Sequence, residues 1–300
     1  MGMPADIGII DTMVGFPSPD RSQVYKFIQP HLRDEESKSF SMPAAYMFKD
    51  VPPEIDPEAD PVAVVLMNMD AHGVERAMVN VAKDDREAPR RAIRDFPDRF
   101  IACAELDPNG GMDTIRLLER LVADFGVRAV TTTPFAYRVA INDARYYPLY
   151  AKCVELDLPI FVTAGVPGPR VPMADQKVEL IDEVCWFFPE LKFVMRHGAE
   201  PWEALAVKLM IKWPNLYYST SAFAPRYYPQ AIIDYANTRG ADKIIYAGYF
   251  PAGLTYDRIF SELPDVAFKD EVWPKFLRTN AERILGLGSA QEYRGDTLYA

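Results

Sequence analysis

Apolar positions in this chain fall in short runs, each followed by a longer stretch in which apolar and polar residues alternate at helical spacing. Strand-like runs, rich in β-branched and aromatic residues and bounded by turn residues, lie at 7–11, 76–82, 100–104, 127–132, 159–163, 192–196, 216–219 and 243–247. Between them, helical patterns run from Pro61 through Val65 and Met69 to a stop at His72-Gly73, then over 85–96, 112–125, 147–156, 175–188, 202–213 and 229–237, with further helical segments to Leu287. His72 beside Gly73 reads as a helix-capping histidine. Eight strand-helix alternations with mostly short connections predict an α/β fold, a (β/α)8 barrel of the TIM type, with a doubly wound open sheet as the alternative. A single domain over 1–300 is expected.

One stretch departs from the alternation. Residues 12–59 carry many Pro, Ser and Asp residues, but also Phe16, Tyr25, Phe27, Tyr46, Met47 and Phe48. Long irregular segments inside compact domains are usually lids or binding loops, and the aromatic content predicts a lid packed on the rest of the chain. His31, within it, reads as a surface loop histidine.

The run LKFVMRHGAEPW ends its apolar stretch on Arg196, His197 and Gly198. In a parallel α/β barrel, the C-terminal ends of the strands carry the chemistry, so His197 is the leading candidate for acid/base work. Asp11, at the end of the first strand, is the second candidate, as an acid or base or as a holder of loop amides.

Charge and composition narrow the function. The chain holds 33 basic and 43 acidic side chains, a net charge of −10, which argues against nonspecific binding to nucleic acid or to an anionic membrane surface. No apolar run approaches the roughly 20 residues of a membrane span, and the N-terminus lacks a secretory signal, so a cytoplasmic protein is expected. Cys103, Cys153 and Cys185 are odd in number and far apart, which fits reduced core thiols. No G-x-S-x-G elbow and no glycine-rich phosphate loop occurs.

From the Ile9-Ile10-Asp11 stretch through FVTAGVPGP, FVMRHGAEPW and IIYAGYFP to NAERILGL, the chain resembles amidohydrolase family 2, the barrel enzymes related to aminocarboxymuconate semialdehyde decarboxylase and to dicarboxylate lactonases. The resemblance implies a mouth that grips a divalent metal, but most of the implied ligands are absent here. Where the family has Asp-x-His-x-His, this chain reads Asp11, Thr12, Met13, Val14, Gly15. The fifth strand ends in Thr163 where many relatives have histidine. Tyr249 stands where the family carries an aspartate. A catalytic zinc needs about three protein ligands, so no bound metal is expected; a divalent ion, if present, would lie near His197 and Asp11.

Catalysis would then rest on His197, Asp11 and Tyr249, the last as a hydrogen-bond donor to developing negative charge. Arg196 and Glu200 would tune the imidazole, and Arg138, Arg170 and Arg196 could clamp an acidic substrate. Thr163 and the hydroxyl run that includes Ser219 complete the candidate lining. The expected activity is metal-independent hydrolysis of a small carboxylated molecule, with decarboxylation by a lyase of the same family and a non-catalytic binding barrel as alternatives. The aromatics Tyr227 and Tyr228 suggest a homodimer contact.

Overall fold

The computed structural model describes residues 2–49, 51–82 and 87–288. The other residues, among them the end of the 1–300 span and the expected helix start at Asp85, lie outside the description. Eight parallel strands follow one another around a single sheet in sequence order. They are β1 (Ile9–Asp11), β2 (Val74–Asn80), β3 (Phe100–Glu105), β4 (Ala129–Thr132), β5 (Ile160–Thr163), β6 (Phe193–Arg196), β7 (Leu216–Ser219) and β8 (Ile244–Ile245). Thr12 N donates to the carbonyl of Tyr246 at 3.3 Å and Gly15 N to that of Phe250 at 2.8 Å, so chain just beyond β1 meets chain just beyond β8. The order has no reversal point, which removes the doubly wound alternative and leaves the TIM barrel.

Helix and strand bounds follow the hydrophobic periods closely. The helix Met112–Phe125 closes on Gly126 in the left-handed region, φ 62°, which glycine reaches without steric cost. The helix Pro61–Ala71 ends on His72, whose Nδ1 lies 2.9 Å from the Asn68 carbonyl, with Gly73 following at φ 68°. The expected helix over 175–188 is shorter, beginning as 3-10 turns and regular only over Ile181–Phe187. The 12–59 segment is less irregular than its composition suggests, holding the short helices Arg21–Val24 and Glu35–Ser39. Asp20 and Asp34 cap these two through side-chain bonds to Ser22 N and Ser37 N.

Strand parity positions the functional layer. Ile10, Met78, Ile101, Cys103, Ala129, Phe161, Val194, Tyr217 and Ile245 fill the barrel interior, closed below by Ala281, Ile284 and Leu285. Their strand neighbours, including Ile9, Ala102, Val130, Val162, Phe193 and Met195, face the surrounding helices in a second apolar cluster. Side chains alternate faces along a strand. One step of two beyond the interior residues therefore sets Asn80, Glu105, Thr131, Thr163 and Arg196 at the barrel mouth, a polar layer above an apolar floor.

Candidate active site

Arg196 is the centre of this layer. Its side chain is 9% exposed and lies 2.9 Å from Glu105 Oε2 through Nη2. The same nitrogen reaches Thr133 Oγ1 at 3.0 Å and the Thr132 carbonyl at 3.3 Å, while Nε donates to Thr163 Oγ1 at 3.0 Å. Nη1 has no hydrogen-bond partner among the described residues. The fork is thus held on two sides and open on the third. Glu105 receives Thr131 Oγ1 at 2.6 Å and Thr133 Oγ1 at 2.8 Å. Burial opposes ionisation of Glu105, but the Arg196 charge and the threonine hydroxyls outweigh it and hold the carboxyl below its usual range. The pair is ionised and internally compensated.

His197 follows on a backbone that leaves the strand abruptly. Arg196 ends β6; His197, Gly198 and Ala199 then take φ values of 66°, 90° and 56°. Two of these are non-glycine residues in the left-handed region, a local cost that persists only where surrounding contacts impose it. A side chain at Gly198 would strike the Phe223 ring, 2.2 Å from where its Cβ would stand. The turn swings the imidazole, whose strand parity is outward, back against the cavity. Ser221 Oγ accepts from the His197 backbone N–H at 3.1 Å and sits 3.0 Å from Nδ1. A hydroxyl has one proton and two acceptor lone pairs, so Ser221 can serve both the backbone N–H and Nδ1 in either tautomer of the ring. Burial, and then the adjacent Arg196 charge, lower the imidazole pKa to about 3, so His197 is neutral at pH 7.

Tyr249 meets His197 edge to face, with ring centroids 5.3 Å apart, and is itself at φ 64°. Burial pushes its phenol up to about 12, so it remains a hydrogen-bond donor. Tyr25 hydrogen-bonds Tyr249, and Phe48 stacks on it at 6.0 Å, so the 12–59 segment rests on the β8 loop.

These groups line a cavity of about 670 Å³. Strand ends supply its polar wall: Asn80, Glu105, Thr131, Thr133, Thr163 and Arg196. The 12–59 segment and the later loops supply Phe27, Ile28, Met42, Met47, Phe48, Phe135 and Phe223. Of the sequence candidates, His197, Arg196, Tyr249, Thr163 and Glu200 come together on this wall.

The others do not. Asp11 has the outward parity of Ile9 because Ile10 takes the barrel interior, and it is sealed away with no exposed surface. Its Oδ1 accepts from Met13 N and Gly248 N, both at 2.9 Å, and Oδ2 accepts from Tyr256 at 3.0 Å. Of the two readings open for it, the holding of loop amides is the one these bonds describe. Arg138 reaches out to Asp175 at 3.5 Å, and Arg170 binds Asp34 and Glu36 at 3.0 and 2.7 Å, so the three arginines do not form one clamp. Ser219 is buried with inward parity, but its Oγ has no hydrogen-bond partner among the described residues and it is not part of the cavity wall. Tyr228, expected exposed, is 7% accessible because it packs edge-on against Phe276; Tyr227 is 62% exposed.

Sequence reasoning missed Glu105 as a site residue. Its signal was present, a carboxylate ending the apolar run FIACAE. Cys103 also reaches the cavity, yet burial pushes its thiol up to about 12, which leaves it a poor nucleophile.

A family model described as amidohydrolase (Amidohydro_2) matches residues 19–287, and the chain belongs to that family. Among solved structures, an uncharacterized TIM-barrel protein from Bordetella bronchiseptica aligns with a TM-score of 0.70 at 22% identity, covering 93% of this chain and 98% of that one. A 5-carboxyvanillate decarboxylase from Novosphingobium aromaticivorans, complexed with manganese and 4-hydroxy-3-methoxy-5-nitrobenzoic acid, aligns with a TM-score of 0.67 at 16% identity, covering 94% and 97%. A dihydroxybenzoic acid decarboxylase from Polaromonas, with bound manganese and 2-nitroresorcinol, gives 0.63 at 19% identity, covering 96% and 100%. No curated protein matches the sequence.

The residues at this mouth do not fit the divalent ion named for those relatives. Asp11 has both oxygens engaged and faces away, β5 ends in a threonine bound to Arg196, and a guanidinium stands in the mouth itself. Among the described residues, no group of three or more His, Cys, Asp or Glu side chains is placed to hold a metal ion.

Proposed function

We propose that this amidohydrolase family member is a lyase: a decarboxylase of a small conjugated carboxylic acid, working through protein side chains in the barrel mouth. Two decarboxylases among the structural relatives favour this reading over the hydrolytic one. The observation that carries the proposal is the open Nη1 edge of Arg196, a fixed cation facing a largely apolar cavity beside a neutral imidazole. The Nη1 hydrogens remain free to donate to a carboxylate, and the apolar lining removes the water that would otherwise stabilise that carboxylate.

In this reading the acidic head binds at Nη1, with Tyr249 and the Thr163 hydroxyl as further donors. The negative charge of the head, brought beside the imidazole, works against the burial and, second, the Arg196 charge that hold down the His197 pKa, and in this reading the imidazole takes up a proton as the substrate enters. The carbon-carboxyl bond then breaks, carbon dioxide leaves, and the electron pair remains on the conjugated substrate. The imidazolium delivers its proton to that carbon. One carboxylate and one proton thus give one C–H product and one carbon dioxide, and Arg196 accompanies the negative charge as it moves.

Carbon dioxide release from a panel of hydroxybenzoic, cinnamic and unsaturated dicarboxylic acids tests this. Arg196→Lys keeps a cation opposite Glu105 but removes the open fork edge. It is expected to raise KM for the active acid at least tenfold while retaining a native circular dichroism spectrum. A folded Arg196→Lys enzyme with unchanged KM, or hydrolysis of esters and lactones with no carbon dioxide release from any acid, would refute the assignment.

A further inference from the structure

The size of the cavity says more about the substrate than its charge does. An apolar cavity of about 150 Å³ is enough to hold benzene. The cavity here, at about 670 Å³, is more than four times that volume. A single-ring acid with its head on Arg196 would leave most of the space unfilled. Most of the buried polar groups belong to the strand ends, whereas Phe27, Ile28, Met42, Met47 and Phe48 of the 12–59 segment supply much of the apolar lining, with Lys49 and Arg258 as charged residues away from the strand ends. Phe48 is fitted closely there: a Cβ at Gly253 would stand 2.6 Å from its ring. A cavity whose buried charge stands at the strand ends and whose lining is otherwise largely apolar matches a ligand of the same asymmetry.

We infer that the substrate is a monocarboxylic acid whose apolar body is larger than one aromatic ring, its head at Arg196 and its body lying under the 12–59 segment. This rests on the decarboxylase reading for the head and adds the class of the body. Burying apolar surface in the unfilled space should tighten binding by about fourfold for each methylene equivalent, from about 0.8 kcal/mol per group.

Calorimetric titration of the full chain with benzoate, 2-naphthoate, biphenyl-4-carboxylate and biphenyl-4-carboxamide separates the two claims. The expected result is at least a tenfold gain in affinity from benzoate to 2-naphthoate, and no loss at biphenyl-4-carboxylate. The carboxamide, and the acids on Arg196→Lys, should bind at least tenfold more weakly than biphenyl-4-carboxylate on the unaltered chain. Affinity that is flat or falls with size, while Arg196→Lys still weakens every acid, would overturn the large-body inference and leave the functional reading intact. A gain with size that does not depend on the carboxylate or on Arg196 would overturn the acidic head, and the functional reading with it. No detectable heat from any of the four compounds would overturn both.

Discussion

His197 and Asp11 are each enclosed by protein, and enclosure disfavours the charged form of both, moving the imidazole down to about 3 and the carboxyl up to about 6. The consequences for stability have opposite signs. Unfolded chain binds a proton at histidine near pH 6.5, whereas the folded site does not until about 3, so this contribution is lost as the pH falls between those values. Folded chain keeps a proton on Asp11 up to about 6, whereas unfolded chain releases it near 3.8, so the Asp11 contribution is present below 3.8 and is lost as the pH rises through 6. At pH 7.5 the chain bears the cost of an ionised, buried carboxylate, roughly 3 kcal/mol for a displacement of this size. Asp11→Asn keeps an acceptor for the amides of Met13 and Gly248 without that charge. Relative to the unaltered chain, it should gain up to that amount in going from pH 4 to pH 7.5. Urea unfolding at the two pH values checks this, and an equal effect at both would mean that Asp11 is not the buried acid described. His197→Gln should flatten the acid-side decline below pH 6.5 in the same measurements. Neither residue's state was legible in the sequence. The strand-end position of His197 was visible, but its neutrality depends first on burial and then on Arg196, against the opposing Ser221 contact, and that enclosure is created only by the turn at 197–199.

Among the elements, the 12–59 segment is the one whose place the sequence indicated least. Its aromatics announced packing without saying against what, because an irregular segment has no period to fix a face. In the fold it lies at the mouth, and two of its attachments differ in kind. Tyr25 and Phe48 rest on Tyr249. On the other side, Arg170 pairs with Asp34 and Glu36 and lies over the Tyr46 ring at 4.7 Å, while Tyr46 donates to the Gly168 carbonyl at 2.7 Å. The second attachment is exposed and ionic, so salt weakens it, whereas the first is aromatic and sheltered. Arg170→Ala is therefore expected to leave the barrel's melting temperature nearly unchanged, to speed proteolytic cleavage within 12–59 several-fold, and to raise KM with little change in kcat. High salt on the unaltered chain should reproduce part of the KM effect. If the cleavage rate in 12–59 is the same with and without the arginine, the Arg170 attachment does not hold the segment. The strands and most helices, by contrast, could be read from the sequence because each buries a regular face.

For the whole molecule, the question is what stands at the centre of the mouth. The barrel was legible because eight apolar runs repeat with helices between them, and the mismatch between this chain's strand ends and the ligand set that the resemblance implies was legible too. What replaces those ligands was not, since Glu105 and Arg196 lie far apart in the chain and meet only when β3 and β6 bring their inward positions to the same level. Their pairing gives the mouth a cation that is covalently part of the chain and already neutralised by its partner. A divalent ion entering there would meet a carboxylate already engaged by Arg196, and would find no set of three ligand side chains among the described residues. Activity should then be indifferent to metal. Dialysis against a chelator is expected to leave both turnover of the active acid and melting temperature unchanged, and added manganese to stimulate neither. Elemental analysis of the purified chain should find substoichiometric metal. Loss of turnover on chelation that manganese restores would place a metal in the reaction and reduce Arg196 to a structural ion pair. The same experiment on Glu105→Gln sharpens the distinction. With its compensating carboxylate removed, the mouth becomes more positive, so a metal-dependent enzyme should lose metal affinity, whereas the reaction proposed here should show tighter binding of the acidic substrate in whatever fraction of the variant remains folded.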